Sequence, residues 1–309
     1  MKIAILGTGA MGSIYAARFA AAGHEVLAVD TWDAHVAEIN AAGLRVSGPA
    51  GDIHATSLRA ATQLPRDQAF DLYVIATKAS AVSDASRAIA AGATPTATIL
   101  TIQNGLGAAE RVAEFIPESQ LVLGVADGFG ASIVSPGHAL HTSMKLIRLG
   151  AAKGGDDPRL GPIAELWRDA GFNVEVFDDI ERLIWEKLLC NVTLSGPCTV
   201  FGCSVDVLRA DIDRWAIALG CMREAYAIGH AKGVKFSFHD ATTYVTAFAE
   251  RVGNAKPSML QDIEAGRRSE LDAINGAIPP LGRTLGIATP YNSTVTEVVR
   301  ALESRFAAS

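Results

Sequence analysis

The chain has 309 residues, 49% of them hydrophobic, enough to bury the core of one large domain or two ordinary ones. Charged residues make up 19% and the formal net charge is -6, so there is no basic face for nucleic acid and no basic stripe for an anionic membrane. No stretch of about 18 residues is free of charged or strongly polar groups, so no membrane-spanning helix is expected.

The N-terminal half alternates short apolar runs with helical patterns. Residues 2–6 read as a strand that runs directly into glycines, unlike a signal peptide, which needs a longer apolar stretch and a cleavage site. A helix at 10–22, a strand at 25–29 and a helix at 33–42 follow, then a hairpin around Gly43–Ile53. Residues 71–76 are a buried strand, 80–91 a helix, 97–102 a strand and 107–115 a helix. This rhythm predicts a parallel, doubly wound sheet. Residues 121–149, with a turn at Ser135-Pro136-Gly137, predict added, partly antiparallel strands at one edge of that sheet. A helix at 160–170 and a strand at 173–177 complete the first domain, 1–178. From about 180 the periodicity is helical almost to the end, so 179–309 is expected to be an all-helical domain. Apolar helices such as 242–250 could form a dimer face; the spacing leaves monomer and homodimer open.

Gly7-Thr8-Gly9-Ala10-Met11-Gly12 is G-x-G-x-x-G between a strand and a helix at the start of a βαβ unit. In that context Gly7 permits the tight turn, Gly9 lets backbone approach a pyrophosphate, and Gly12 lets helix and strand pack closely. The loop with Ala10 and Met11 then presents free N–H groups and the positive end of a helix dipole. Asp30 ends the second strand, 18 residues beyond Gly12. A carboxylate there accepts hydrogen bonds from ribose hydroxyls and repels a 2′-phosphate, and no Arg or Lys lies in residues 31–35 to compensate. The local reading favours NAD(H) over NADP(H); the alternative is that Asp30 caps the helix starting near Asp33.

Thr77-Lys78-Ala79 and Gln103-Asn104-Gly105-Leu106-Gly107 each follow a strand, where the carboxyl ends of parallel strands face a ligand crevice. Lys187 lies in a helix crowded with Ile184, Trp185, Leu188 and Leu189, and shares a face with Asn191 and Ser195. A charge on such a helix is costly unless used, and burial lowers an amine's pKa toward the range of a general acid near neutrality. Taken alone, the lysine could equally snorkel to solvent. Ser258, after Pro257, reads singly as a helix N-cap, and Glu270 as a surface charge paired with Arg267. Cys190, Cys198, Cys203 and Cys221 form no C-x-x-C pair, and the seven histidines show no metal spacing, so reduced, buried thiols and no metal are expected.

Together these stretches, with Trp185-x-Lys187-x-x-x-Asn191, Ser258-Met259-Leu260-Gln261-Asp262 and Glu270-Leu271-Asp272-Ala273-Ile274-Asn275-Gly276, resemble the ketopantoate reductase (2-dehydropantoate 2-reductase) family over nearly the whole chain. The resemblance implies an N-terminal Rossmann-type doubly wound sheet with a C-terminal all-helical domain, a cytoplasmic enzyme, and reduction of a small 2-oxo acid, as in the pantothenate-biosynthesis step from 2-dehydropantoate to pantoate. It implies Lys187 as general acid, with Glu270 holding that lysine and the substrate oxygen. Asn104 would lie by the nicotinamide and the lysine, Lys78 on the cofactor side, and Asn191, Ser195 and Ser258 at the substrate. NADP(H) is the family default. Two positions depart from the pattern: Ser195 stands where members carry a second asparagine followed by proline, and Asp30 where NADPH-using members carry a basic residue nearby. A β-hydroxyacid dehydrogenase is the runner-up, disfavoured because residues 180–186 lack its glycine-rich stretch. A non-catalytic redox sensor would have no use for Lys187, Asn191 and Glu270 together.

Overall fold

The computed structural model describes residues 1–49 and 51–308. The chain divides into two compact units, residues 1–103 with 108–180, and residues 104–107 with 181–309.

In the first unit, β1 (Lys2–Leu6) leads through the glycine loop into α1 (Ala10–Ala21), then β2 (Glu25–Val29) and α2 (Asp33–Ala42). A hairpin of β3 (Leu44–Ser47) and β4 (Ile53–Ala55) precedes the short β5 (Arg59–Ala61). The second half-repeat is β6 (Leu72–Ile75), α3 (Val82–Ala90), β7 (Thr98–Thr101), α4 (Ala108–Ala113) and β8 (Leu121–Asp127). After it come β9 (Gly130–Ser135), β10 (His138–Ser143), β11 (Leu146–Ala151), α5 (Leu160–Asp169) and β12 (Val174–Val176). The main sheet has the order β12-β11-β8-β7-β6-β1-β2-β5. The six strands from β8 to β5 are mutually parallel, and β11 joins β8 antiparallel. Strand order reverses between β1 and β6, so the loops after their carboxyl ends, at Gly7 and at Thr77, open at the switch point where such sheets bind ligands. β6 is buried at every residue, as expected of an apolar run covered on both faces.

A second, four-stranded sheet has the order β4-β3-β10-β9. It packs on α1, which also packs on β1 and β2 of the main sheet. This explains why α1 is buried nearly all round and carries no distinct polar stripe. Tyr15 and Phe19 from α1 meet Trp167 edge-on at centroid distances of 5.1 and 4.9 Å.

The sequence pattern places the whole of 121–149 at the edge of the main sheet. β11 and β12 do extend that edge, but β9 and β10 belong to the small sheet, where β10 pairs parallel with β3. The alternating burial at the start of β10, beside a β9 with no buried residue, marks a half-solvated hairpin without indicating its long-range partner. No sequence signal marks β5; Arg-Ala-Ala has no strand propensity of its own and is recruited by pairing with β2. Within the hairpin predicted around Gly43–Ile53, residue 50 lies outside the described residues, as does residue 309 of the helical segment.

The second unit is helical: α6 (Ile180–Phe201), α7 (Val205–Ala210), α8 (Ile212–Ala231), α9 (Ala241–Val252), α10 (Ser258–Glu264), α11 (Ile278–Leu285) and α12 (Pro290–Glu303), with single 3-10 turns at Leu271–Ala273 and Asn275–Ala277. Trp185, Leu188, Leu189 and Val192 from α6 join Met222, Ala225 and Ile228 of α8 in its core. No helix is long and apolar enough to cross a membrane among the described residues.

Candidate active site

The glycine loop is set by close approaches. Gly7 has φ +87°, and a Cβ there would lie 2.6 Å from the Thr77 backbone. A Cβ on Gly12 would lie 1.9 Å from the Gly7 carbonyl oxygen, whereas a Cβ on Gly9 would meet nothing within 4 Å. Gly9 starts α1, no side chain caps the helix, and its first turn carries no acid, so its N–H groups face no competing anion from their own helix. Among the described residues the buried hydroxyls of Thr8 and Thr77 have no hydrogen-bond partner.

A buried relay braces the loop from behind. The Ser13 hydroxyl donates to the Thr8 carbonyl at 2.7 Å and lies 3.4 Å from His35 Nε2. His35 Nδ1 accepts the Gly137 N–H at 3.0 Å, so this nitrogen is unprotonated. Burial holds His35 below its ordinary value, against the opposing pull of the Asp30 charge.

Asp30 is half-buried just past β2, and its Oδ1 accepts the Trp32 N–H at 3.0 Å. Among the described residues it makes no bond into the first turn of α2, whose start no side chain caps, so the capping alternative does not hold. Thr31 is exposed, and the exposed Trp32 stacks on His35 with centroids 5.2 Å apart. Lys78 is exposed, ahead of the 3-10 turn that leads into α3.

In the second unit Lys187 and Asn191 are half-buried on α6 and Ser195 is buried at 4% exposure, so the shared face runs from a partly open to a closed position. The neighbouring Glu186 turns inward and accepts the Ser237 N–H at 2.7 Å. Glu270 is half-buried, and one of its carboxylate oxygens accepts the Asn104 side-chain N–H at 3.3 Å. The backbone follows suit: the Leu106 N–H donates to the Ala273 carbonyl at 2.8 Å. Glu270 is therefore no surface charge paired with Arg267, whose guanidinium donates to Asp262 at 3.1 Å. Ser258 is exposed at the first residue of α10 and caps nothing. Among the described residues no hydrogen bond joins it to another candidate.

Other chemistries find no support. All four cysteines are buried and none forms a disulfide, and burial pushes the Cys198 thiol up to about 12, far from a nucleophilic thiolate. No cluster of metal-ligating side chains occurs among the described residues. Sequence reasoning missed Thr8, Thr77, the Ser13–His35 relay and the buried Asn275. Only Asn275 had a usable signal, because a Gly-Pro step inside a helix calls for a partner from outside it.

Comparison with known proteins agrees with this architecture. The family "Ketopantoate reductase PanE/ApbA" matches residues 3–154, and "Ketopantoate reductase PanE/ApbA C terminal" matches residues 179–303. A 2-dehydropantoate 2-reductase from Mesorhizobium japonicum is 33% identical over 98% of both chains. A PanE/ApbA family ketopantoate reductase from Ralstonia eutropha superposes with a TM-score of 0.91 at 28% identity, covering 99% of this chain and 100% of the other. A D-mandelate dehydrogenase, solved with NADH and anilino(oxo)acetate, does so with a TM-score of 0.91 at 27% identity over 99% of each. The chain belongs to the ketopantoate reductase family and is an oxidoreductase of the type that interconverts a 2-oxo acid and its alcohol.

Proposed function

We propose that residues 1–178 bind NADH and that residues 179–309, with Asn104, supply the groups that reduce a small 2-oxo acid. The observation that carries the catalytic half is the Asn104–Glu270 hydrogen bond, which gathers two candidates from distant parts of the sequence.

The residues present suit a dinucleotide. The open side of Gly9, the uncapped start of α1 and the two partnerless buried threonine hydroxyls match an anionic pyrophosphate and its polar neighbours. Gly7, Gly9, Ala10, Met11 and Gly12 would hold the phosphates, Asp30 the adenosine ribose, and Lys78 and Asn104 the remainder. When bound, the nicotinamide supplies a hydride. As the carbonyl carbon gains it, negative charge collects on the carbonyl oxygen. The Lys187 ammonium donates a proton there, and Glu270 orients that ammonium while itself held by Asn104. Asn191, Ser195 and Ser258 would grip the rest of the substrate.

Two observations favour a 2-oxo acid other than 2-dehydropantoate. Ser195 is short and buried where family members carry an amide, and the D-mandelate dehydrogenase that superposes on the chain was solved with anilino(oxo)acetate. The family default remains 2-dehydropantoate with NADPH. The four cysteines held outside disulfides suit a reducing compartment such as the cytoplasm.

The test is loss of reduced-nicotinamide absorbance with 2-dehydropantoate, phenylglyoxylate and aliphatic 2-oxo acids, each with NADH and with NADPH. Turnover of at least one acid is expected, and no turnover with any of them overturns the proposal.

A further inference from the structure

Asn275 has no part in the chemistry above, yet it is fully buried and its amide is used at both ends. Its Nδ2 donates to the Val192 carbonyl at 2.9 Å and to Asn292 Oδ1 at 3.0 Å, and its Oδ1 accepts the Gly196 N–H at 3.2 Å. Val192 and Gly196 are four residues apart on α6. One side-chain amide therefore engages the carbonyl and the N–H that a helix would otherwise pair with each other.

The position follows from the sequence. Pro197 lies inside α6. It has no N–H to give, and its ring crowds the carbonyl one turn back, which opens and bends a helix at that place. An amide from another segment can serve the loosened turn. Gly196 makes room for it, because a Cβ there would lie 2.5 Å from Asn275 Oδ1.

Asn275 is itself held. The Asn292 Nδ2 donates to the Cys221 carbonyl at 2.9 Å and to Glu224 at 2.7 Å. The backbone N–H groups of Tyr291 and Asn292 reach the same carboxylate at 2.7 and 2.9 Å. Glu224 thus closes the first turn of α12. Glu224, Asn292 and Asn275 form a buried polar chain ending on the turn of α6 that carries Ser195, next to Asn191 and one turn further from Lys187. Asn275 also lies five residues after Glu270, on the segment whose Ala273 carbonyl holds Leu106.

We infer that Asn275 is a positioning residue for the reduction: it clamps the proline-opened turn of α6 to the segment bearing Glu270, and so fixes the spacing between the Lys187–Asn191–Ser195 face and the Glu270 carboxylate. The inference rests on the roles given above to Lys187 and Glu270. A displacement of about 1 Å in such a constellation can cost a hundredfold in rate.

The test compares wild type with Asn275→Ser, Asn275→Asp and Asn292→Ala for kcat, KM, NADH affinity by fluorescence titration, the pH profile of kcat and the thermal midpoint. Both Asn275 variants should lose about 10- to 100-fold in kcat and show a displaced pH profile, with NADH affinity changed less than about threefold. Asn292→Ala, which leaves Asn275 its two bonds to α6, should show a smaller loss of the same kind. Wild-type kcat and pH profile in folded variants, however far their midpoints fall, overturn the inference. Should neither Asn275 variant fold, the same outcome in Asn292→Ala overturns it. If the wild type reduces no 2-oxo acid, the functional proposal fails by itself. Asn275 is then judged by the Lys187 titration, followed by NMR of the 13C-methylated protein and assigned with Lys187→Arg. It should move in Asn275→Ser, and an unmoved titration overturns the inference.

Discussion

The Asn104 side-chain amide donates to a Glu270 carboxylate oxygen at 3.3 Å although 166 positions separate the two in sequence. Both residues are half-buried, where a hydrogen bond to a charged acceptor contributes about 1.5–3 kcal/mol. Asn104→Ala and Glu270→Gln should therefore each lower kcat/KM by about tenfold or more. The pair acts as one unit, so the double variant should cost less than the product of the two losses, with a coupling of at least about 0.5 kcal/mol. Steady-state kinetics on the four proteins decide it, and strictly additive losses would show that the contact has no part in catalysis.

Lys187 is half-buried on a helix whose adjoining residues fill the core. If its ammonium protonates the nascent alkoxide, Lys187→Ala should lower kcat by about a hundredfold or more, the usual scale for losing a general acid. NADH affinity, which the proposal assigns mainly to residues of the first unit, should change little. A pH profile of kcat that survives the substitution unchanged would remove Lys187 from the proton transfer.

Gly12 tests the proposed cofactor loop through sterics alone. A Cβ at this position would lie 1.9 Å from the Gly7 carbonyl oxygen, so the loop or the start of α1 has to shift. Gly12→Ala should cost about 1–3 kcal/mol of stability, the range for overpacking a tight site, and weaken NADH binding about tenfold or more. Gly9→Ala meets nothing within 4 Å in the protein and should leave the thermal midpoint near that of wild type while still weakening NADH binding. Equal NADH affinity in Gly9→Ala and wild type would mean that no ligand approaches the loop there.

Sequence legibility followed the range of the interactions. The parallel strands and α1 were readable because apolar runs, helical periodicity and the glycine fingerprint are local signals. The small sheet was not, since β3 and β10 lie about ninety residues apart and nothing in either strand names the other. The site divides in the same way. Lys187, Asn191 and Ser195 share a helical face by spacing, whereas Asn275 gains its place only once the 271–277 turns are laid against the turn of α6 that precedes Pro197. The buried hydroxyls of Thr8 and Thr77 became visible only as polar groups lacking partners in the folded chain.

His35 predicts a pH dependence of stability. Its side chain is fully buried, its Nδ1 accepts from Gly137, and burial lowers its pKa from the ordinary 6.5. The unfolded chain therefore takes up a proton first. In the window from about pH 6.5 down to the folded-state value, the unfolded state binds more protons, and stability falls as pH falls. His24 and His141, also lowered by burial, act in the same direction, so the informative quantity is a difference between proteins. The thermal midpoint of His35→Gln should drop less than that of wild type between about pH 7 and about pH 5. Parallel curves would show that His35 takes no part in acid destabilisation.

The cofactor preference turns on Asp30. Its carboxylate is fixed by the Trp32 N–H at the carboxyl end of β2, and the exposed Thr31 beside it brings no positive charge. Two unit charges 4 Å apart repel by about 4 kcal/mol at an effective dielectric of 20. Solvent, salt and small movements reduce this, yet about 1.4 kcal/mol already amounts to tenfold. NADH should thus be preferred over NADPH by at least about tenfold in kcat/KM. Asp30→Ala should shrink the preference by removing the repulsion. Thr31→Arg should reverse it, because a guanidinium placed at this exposed position can fork onto a 2′-phosphate. The measurement is kcat/KM for both cofactors with the best 2-oxo acid, in wild type and the two variants. An NADPH preference in the wild type would overturn the role given to Asp30. High activity on 2-dehydropantoate would separately overturn the inference from Ser195, because Asp30 and Ser195 belong to different units and are proposed to meet different ligands.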